Sequence, residues 1–384
     1  MLFLSVLMNL SLLVYYKYTG FIVGNINNLF GTELFIKKIV MPVGISFFTF
    51  QGMSYVFDIY YGWSKAQKNI LNVILYIALF PQLVAGPIVR YQTIEDELTG
   101  RSENEHLIAE GIGYFIIGLG KKMIIANQMG IVADAAFAEA APTVALCWLG
   151  AIGYTLQIYF DFSAYSDMAI GLGKVFGFTF PENFNYPYIA TSITDFWRRW
   201  HISLSTWFRD YLYIPLGGNR CSKGRQILNI MTVWLATGIW HGASWNFVVW
   251  GVYYGVLLIV EKFFLKDILN RLPSVFRHIY TMLIVIIGFV FFRADTLTAA
   301  VTYLKTMFGV GILTGGNELQ LLSNYYVFIL MGIVGSFPVA GLVKKHLKGG
   351  AYCFAKYVYL VSVFAISVLF LTGSTFNPFI YFRF

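Results

Sequence analysis

The stretch Leu235–Trp250 reads LATGIWHGASWNFVVW and places one ionisable side chain, His241, among apolar and small residues. No lysine or arginine occurs from Ile227 to Val260. Such a segment is typical of a bilayer interior, where an ionisable group is costly and usually faces a protein interior or a wet cavity. Histidine is also the side chain that most readily exchanges a proton near neutral pH. The stretch therefore predicts an integral membrane protein with its reactive groups at membrane depth.

The composition of the whole chain agrees with this prediction. Of 384 residues, 58% are hydrophobic and 12% are charged, against about 25% charged residues in a soluble domain. A spanning helix needs about 20 mostly apolar residues, so the chain has room for roughly ten spans. We predict an all-α, polytopic protein that forms a single transmembrane domain over residues 1–384. No basic soluble module is present, so we predict no nucleic-acid partner.

Ten apolar segments carry the predicted spans. Several contain glycine or proline, which membrane helices tolerate where neighbouring helices or a cavity satisfy the freed backbone groups. The predicted spans are Leu2–Tyr18, Ile39–Ile59, Ile70–Val89, Leu107–Ala126, Val144–Phe160, Ile227–Trp240, Phe247–Val260, Tyr280–Phe292, Tyr325–Leu342 and Tyr357–Leu371.

Basic residues cluster at Arg198–Arg225, Lys262–Arg277 and Lys344–Lys348. Lysine and arginine are enriched in the cytoplasmic loops of membrane proteins. Two predicted spans separate each cluster from the next, which places all three on the same side. The clusters therefore predict the cytoplasmic face.

The segment Phe196–Leu216 reads FWRRWHISLSTWFRDYLYIPL and mixes charged residues with many aromatics. It is too polar for a span that faces lipid and too apolar for an ordinary loop. We predict an interfacial or re-entrant amphipathic segment over residues 196–216.

Two of the five histidines, His201 and His241, lie in these apolar surroundings, and both adjoin a tryptophan. Trp240 and Trp245 bracket His241, and Trp200 precedes His201. Aromatic walls around a buried polar group are typical of a pocket for an acyl chain or thioester. The alternatives are histidines that are merely hydrogen-bonded in the core and tryptophans of an interfacial belt.

The remaining motifs are weak. Asp161 and Asp167 either orient a histidine or line a polar funnel, and capping or solvated turns are an equal alternative. The three cysteines show no CxxC spacing. HExxH, G-x-S-x-G and P-loop sequences are absent from the chain, so we predict no metal site.

Longer motifs resemble a known family. The sequence FPENFNYPYIATSITDFWRRWHISLSTWFRDYLYIPLGGNR at Phe180–Arg220, followed by GIWHGASWNFVVWG at Gly238–Gly251, resembles the membrane-bound O-acyltransferases. YSDMAIGLG at Tyr165–Gly173 and FIYFRF at Phe379–Phe384 are similar to the bacterial branch that contains the membrane subunits of alginate and peptidoglycan O-acetylation. The resemblance covers essentially the whole chain. Members usually carry further hydrophobic segments ahead of the point that corresponds to Met1, so the N-terminus is expected to be truncated or misassigned.

The resemblance implies a multi-helix fold with a central funnel in a bacterial cytoplasmic membrane. It implies acyl transfer from a thioester to a hydroxyl, with the family's active-site histidine at His241 and its second active-site position at His201. The implied partners are the lipid bilayer, an extracytoplasmic protein of the SGNH-hydrolase type and a polysaccharide acceptor. No cofactor is expected to be bound permanently, since acetyl-CoA or another acyl thioester is the donor substrate.

A mechanism follows as an expectation. His241 acts as a general base on the acceptor hydroxyl, and His201 either hydrogen-bonds the thioester oxygen or orients the acceptor. Arg198 and Arg199 hold the phosphates of coenzyme A, with headgroup contact as an equal alternative. Other functions left open are D-alanyl transfer to teichoic acid, a lipid-linked sugar transporter or flippase, and a non-catalytic scaffold.

Overall fold

The structure is a computed structural model that describes residues 2–37, 39–101, 104–373 and 378–380. Within these ranges the chain is helical and contains no strand, which confirms the predicted all-α class. The α-helices, in chain order, are α1 (Leu2–Leu13), α2 (Thr19–Phe30), α3 (Ile45–Tyr60), α4 (Ile70–Ala78), α5 (Phe80–Leu83), α6 (Tyr91–Ile94), α7 (Glu97–Gly100), α8 (Glu105–Gly120), α9 (Asn127–Ala138), α10 (Val144–Val175), α11 (Ile193–Arg199), α12 (Ile202–Phe208), α13 (Lys223–His241), α14 (Trp245–Val260), α15 (Lys266–Arg271), α16 (Ser274–Arg293), α17 (Leu297–Met307), α18 (Glu318–Gly335), α19 (Val339–His346) and α20 (Gly349–Thr372).

Short π-helical segments join several of these helices without a loop. They are Val14–Tyr18 between α1 and α2, Lys121–Ala126 between α8 and α9, Arg209–Tyr213 after α12, and Glu261–Leu265 between α14 and α15. A π turn shifts the register of the side chains that follow it and is frequent at functional sites. Each of these four segments carries a charged side chain, and three of them reach the candidate site described below.

Five continuous helices in the described ranges are long and apolar enough to cross a membrane. They are Leu2–Phe30, Trp245–Arg271, Ser274–Arg293, Glu318–Gly335 and Gly349–Thr372, and each contains the greater part of a predicted span. The other five predicted spans fall on helices that are shorter, interrupted or charged. The predicted span Ile70–Val89, for example, breaks at Leu79, whose backbone is extended, and Pro81 lies in the first turn of the next helix.

Helix α10 is the central element, since it packs against α8, α9, α16, α17 and α18. It begins where the Thr143 hydroxyl accepts the Leu146 N–H at 3.1 Å, a side-chain cap for a free backbone donor. It continues to Val175, far beyond the predicted end at Phe160.

The extension of α10 is possible because its two carboxylates are neutralised. Lys122 pairs with Asp161 at 3.1 Å, and Lys121 pairs with Asp167 at 2.6 Å. Both lysines come from the π turn Lys121–Ala126. Asp161 is 2% exposed, so the alternative of a solvated turn is wrong for this residue.

The segment Pro378–Ile380 is anchored on the same buried pair. The Lys122 ammonium donates to the Pro378 carbonyl, and the Ile380 N–H donates to Asp161, both at 3.1 Å. The Phe379 ring packs edge-on against Tyr165. The rest of the predicted FIYFRF motif, Tyr381–Phe384, lies outside the described residues.

The predicted amphipathic segment 196–216 is built from short pieces. Helix α11 ends at Arg199, α12 begins at Ile202, and a π turn follows over Arg209–Tyr213. The chain turns sharply between α11 and α12, where His201 has a left-handed backbone with φ of 45°. A single continuous amphipathic helix is therefore ruled out for this part of the chain.

Helices α13 and α14 form a tight hairpin that ends in the candidate site. Gly238 and Gly251 lie at the closest approach, since a Cβ on Gly238 would lie 3.1 Å from the Gly251 Cα. A Cβ on either glycine would also clash with a backbone carbonyl oxygen of the facing helix. Small residues allow membrane helices to approach in this way, and the contact fixes the end of α13 that carries His241.

Candidate active site

His241 is the last residue of α13, and its ring is enclosed by aromatic side chains. The ring centroids of Trp240, Trp250 and Phe292 lie 5.0, 5.0 and 5.1 Å from that of His241. The residue is 6% exposed. Its Nδ1 atom has no hydrogen-bond partner among the described residues. The fold therefore holds this imidazole in an aromatic frame in which Nδ1 is buried.

His201 occupies the turn between α11 and α12 and is 1% exposed. A left-handed backbone is uncommon for residues other than glycine, and histidine is among the residues that adopt it most often. The Nδ1 atom lies 3.1 Å from the side-chain oxygen of Asn183. The ring packs edge-on against Phe162, with centroids 4.7 Å apart. His201 is thus fixed in orientation by a polar contact on one side and an aromatic contact on another.

The structure brings the two histidines together although they are 40 residues apart in the sequence. Both rings contact Trp240, at centroid distances of 6.1 Å for His201 and 5.0 Å for His241. Both also line one cavity of about 700 Å³. The two imidazoles therefore share one chamber in the fold.

This chamber, called here the basic cavity, has a cationic lining. It includes five cations and one carboxylate, which are Arg198, Arg209, Lys262, Lys266, Arg277 and Glu261. Glu261 is engaged, since it accepts hydrogen bonds from the Ile193 and Thr194 backbone N–H groups at 2.7 and 2.9 Å. Hydrogen bonds to Asp210 raise the pKa of Arg209 above its usual value, so that this side chain stays charged. The cavity therefore favours an anionic ligand.

A second, smaller cavity of about 130 Å³ lies at the other end of the site. Its lining includes Lys17, Ser46, Phe47, Trp240 and His241. His241 is the one residue that lines both this small cavity and the basic cavity, as far as the described residues show. His241 therefore lies between two cavities whose other lining residues belong to different parts of the chain.

The π turn Val14–Tyr18 caps the end of α13. The Lys17 ammonium donates to the backbone carbonyls of Trp240 and His241 at 2.7 and 3.1 Å, and the Tyr18 hydroxyl donates to that of Ile239 at 2.6 Å. The last carbonyls of a helix have no partner within the helix and carry partial negative charge. A cation at this point stabilises the helix end and fixes the backbone that carries His241.

Replacing Lys17 with methionine is expected to lower both stability and acyl transfer. The change removes hydrogen bonds from a charged donor, each of which contributes about 1.5–3 kcal/mol. Thermal unfolding of the purified protein in nanodiscs measures the first effect, and a transfer assay on the same sample measures the second. Lys37→Met is the matched control, because Lys37 is exposed. Equal unfolding temperatures for the two variants would show that the contacts of Lys17 with the end of α13 do not stabilise the protein.

The other predicted site residues separate into two groups. Trp200 and Arg198 line the basic cavity, and Trp240 lines the small cavity. Three residues lie elsewhere. Arg199 pairs with Asp195 at 2.8 Å, Asp167 pairs with Lys121, and Trp245 is 54% exposed and donates to Asn25.

Asn183, Lys17 and Glu261 are site residues that the sequence reasoning did not select. Lys17 stands alone within an apolar segment, and Glu261 lies at the end of one, beside Lys262. A charge in such a position is a usable signal. Asn183 lies within the quoted family motif, but nothing in a single sequence distinguishes it from the polar residues around it. Its importance depends on a contact with His201 that only the fold creates.

Comparison with known proteins identifies the family. A family model described as MBOAT, membrane-bound O-acyltransferase family, matches residues 67–294. The chain belongs to the membrane-bound O-acyltransferase family. It is accordingly an O-acyltransferase and a multi-pass membrane protein. Both histidines lie within the matched range, whereas Lys17 lies ahead of it.

Similar O-acyltransferases confirm the predicted branch. A probable alginate O-acetylase of Azotobacter vinelandii is 40% identical over 99% of this chain and 84% of that protein. A peptidoglycan O-acetyltransferase of Helicobacter pylori is 36% identical over 80% of this chain and 64% of that protein. A teichoic acid D-alanyltransferase of Bacillus subtilis is 32% identical over 60% of this chain and 61% of that protein. The last two matches cover less than two thirds of the relatives' own length.

Proposed function

We propose that this O-acyltransferase moves an acetyl group from a cytoplasmic thioester donor, across a bacterial cytoplasmic membrane, for O-acetylation of an extracytoplasmic polysaccharide. The observation that carries the proposal is the position of His241, which lines both the basic cavity and the small cavity. The acceptor class rests on the names of the similar proteins, which act on alginate and peptidoglycan.

The lining of the basic cavity supports a donor that bears phosphate. Guanidinium and ammonium groups are the side chains that recognise phosphate oxygens. The Nε atom of Arg277 is buried without a hydrogen-bond partner among the described residues, and Lys266 at the same cavity is exposed. Coenzyme A and a phosphopantetheine carrier both offer the required anionic groups, so acetyl-CoA or another acyl thioester fits this chamber.

The charge distribution supports this direction of transfer. The cations of the basic cavity come from Arg198–Arg225 and Lys262–Arg277, the clusters that the positive-inside rule assigns to the cytoplasm. In this proposal the donor enters through the basic cavity, and the acceptor side reaches His241 through the small cavity. The partner on that side is an extracytoplasmic protein of the SGNH-hydrolase type that completes polymer acetylation.

The proposed chemistry uses the imidazole of His241 as a base. The acceptor oxygen attacks the thioester carbonyl carbon while His241 takes the hydroxyl proton. The C–S bond then breaks, and the proton passes from His241 to the leaving thiolate, so that an ester and a free thiol result. A positioned base contributes about 10²–10⁴-fold. His201, which lines the same cavity, is placed to bind one of the two substrates.

D-alanyl transfer remains the second candidate function, and the similarity to the Bacillus subtilis enzyme favours it. Its donor is an acylated carrier protein, as the family resemblance implies. The two functions differ in the group transferred, and each donor can be supplied to the same purified protein. Acetyl transfer from acetyl-CoA with no D-alanyl transfer from a charged carrier supports the first proposal, and the reverse result supports the second.

Removing two cations from the basic cavity is expected to weaken donor binding. For Arg277→Ala and Lys266→Ala we expect KM for acetyl-CoA to rise about 10-fold or more each, because a hydrogen bond to a charged group contributes about 1.5–3 kcal/mol. Arg271→Ala is the matched control. It removes a positive charge from the same region, but Arg271 does not line the cavity. Steady-state assays in nanodiscs compare the three variants. An unchanged KM in both cavity variants would contradict the proposed donor site.

A further inference from the structure

A group of polar side chains around His201 determines which of its ring nitrogens carries the proton. The side-chain oxygen of Asn183 lies 3.1 Å from His201 Nδ1, 3.2 Å from the Ser203 backbone nitrogen and 2.9 Å from the Ser203 hydroxyl. Asn183 is itself 1% exposed. The protonation of a histidine ring is normally inferred from the groups that it contacts, and here these contacts are sufficient.

The orientation of the Asn183 amide is fixed by a donor that cannot reverse its role. A backbone N–H only donates, so the amide atom that faces the Ser203 nitrogen must be the oxygen. The amide nitrogen of Asn183 then donates to the Ser166 hydroxyl at 3.2 Å. Each end of the amide therefore has a partner of the correct type.

The same oxygen faces Nδ1 of His201, and this contact is favourable only if Nδ1 bears the proton. A bare Nδ1 would place its lone pair against the lone pairs of the Asn183 oxygen at 3.1 Å. The Ser203 hydroxyl does not offer an alternative. It accepts the Ile88 N–H at 2.9 Å and donates to Asn183, whereas its 3.5 Å distance to Nδ1 is too long for a good hydrogen bond.

The backbone around Asn183 holds this arrangement in place. The Ile202 N–H donates to the Asn183 carbonyl, and the Asn185 N–H donates to the Arg199 carbonyl, both at 2.9 Å. These bonds clamp the chain on either side of His201, where the backbone is left-handed. A strained residue persists when the surrounding structure over-determines it, and Asn183 supplies both main-chain and side-chain contacts.

We propose that Asn183 is a positioning residue that keeps the proton of His201 on Nδ1, so that Nε2 of the neutral ring can act only as a hydrogen-bond acceptor. This ring form cannot donate to the thioester oxygen. Of the two roles considered for His201, it can perform only the second, which is to orient the acceptor. The substrate assignment rests on the proposed function, whereas the ring form does not.

The direct test is ¹⁵N NMR of the full-length protein labelled with ¹⁵N-histidine in nanodiscs. A His201→Asn variant identifies the His201 signals among those of the five histidines. At neutral pH the expected spectrum shows a protonated Nδ1 and an unprotonated Nε2. In Asn183→Leu this preference is lost, and in Asn183→Asp, which retains an acceptor oxygen, it persists. A wild-type signal with the proton on Nε2 would overturn the proposal, as would an unchanged ring form in Asn183→Leu.

Activity measurements on the same variants give a second readout. We expect kcat to fall in Asn183→Leu by between about 10-fold and 10⁴-fold, the upper figure being the effect of the wrong histidine tautomer in a serine protease triad. Asn183→Asp should recover much of this loss. If Asn183→Leu does not fold, the wild-type and Asn183→Asp spectra decide the question. Because the spectra need no substrate, an absence of acetyl transfer would count against the proposed function and not against the ring form.

Discussion

Replacing His241 with alanine is expected to reduce acyl transfer by about 10²–10⁴-fold, with the protein still present in the membrane at its normal level. The imidazole lies between the two cavities and contacts three aromatic rings. Its removal deletes the base and leaves the aromatic frame and the cap from Lys17, which binds backbone carbonyls and the Ser46 hydroxyl. Initial rates of acetyl transfer and membrane abundance, measured on the same preparation, give the two quantities.

A matched control for His241→Ala is His106→Ala. His106 is exposed in the first turn of α8, and its replacement should leave the rate unchanged. The same comparison separates the other functions. A His241→Ala protein that still acetylates polymer but exports less of it would identify a transporter. A protein that loses only the assembly of its complex would identify a scaffold.

The second large effect is expected at the buried ion pair between Lys122 and Asp161, whose side chains are 6% and 2% exposed. Lys122→Ala removes the ammonium that pairs with the buried Asp161 carboxylate, and breaking such a pair destabilises a protein by about 3–5 kcal/mol. The variant also removes the donor to the Pro378 carbonyl. Chemical unfolding in mild detergent, followed by tryptophan fluorescence, measures the loss.

Two further variants test whether the ion pair accounts for the loss of stability in Lys122→Ala. Replacing both partners, as Lys122→Met with Asp161→Leu, removes both buried charges and should restore most of the stability. Lys121→Ala is the control at the neighbouring pair with Asp167, where the side chains are 24% and 20% exposed and a smaller loss is expected. A double variant as unstable as Lys122→Ala would show that the pair itself does not account for the effect.

Much of the site could be predicted from the sequence because its two histidines are polar residues within apolar or aromatic segments. An imidazole inside an apolar stretch stands out, and so does one in an aromatic segment too polar to face lipid. His241 and His201 were identified in this way, and the structure places both on one cavity. The class of fold could also be predicted, since composition alone requires helices in a membrane.

The sequence could not specify which charges pair with each other. Arg199 is adjacent to Arg198, yet it points to Asp195 one helical turn away, while Arg198 lines the cavity. Asp167 was a candidate for the funnel, but Lys121 from another helix neutralises it. Trp245 is close to His241 in the sequence, but the chain turns between α13 and α14 and leaves its ring on the surface. These outcomes depend on helix packing, which a single sequence does not reveal.

The ends of helices could not be predicted for the same reason, because they also depend on contacts between distant parts of the chain. The predicted span Val144–Phe160 stops at Asp161 because an unpaired carboxylate is costly in a membrane. The helix continues because Lys122, 39 residues earlier in the chain, provides the counter-charge. The position of Lys17 on the end of α13 likewise joins residues more than 220 positions apart. Long-range polar contacts of this kind set the geometry of the site.

We propose that the two histidines act in one chamber on a thioester that enters through the basic cavity. The most direct test is a cryo-EM structure of the protein with a non-hydrolysable thioether analogue of acetyl-CoA. We predict that the carbonyl of the analogue lies within hydrogen-bonding reach of His241, that its phosphates lie near Arg277 and Lys266, and that His201 lines the same space. An analogue bound at another site, or two imidazoles separated by a wall of packed side chains, would contradict the account.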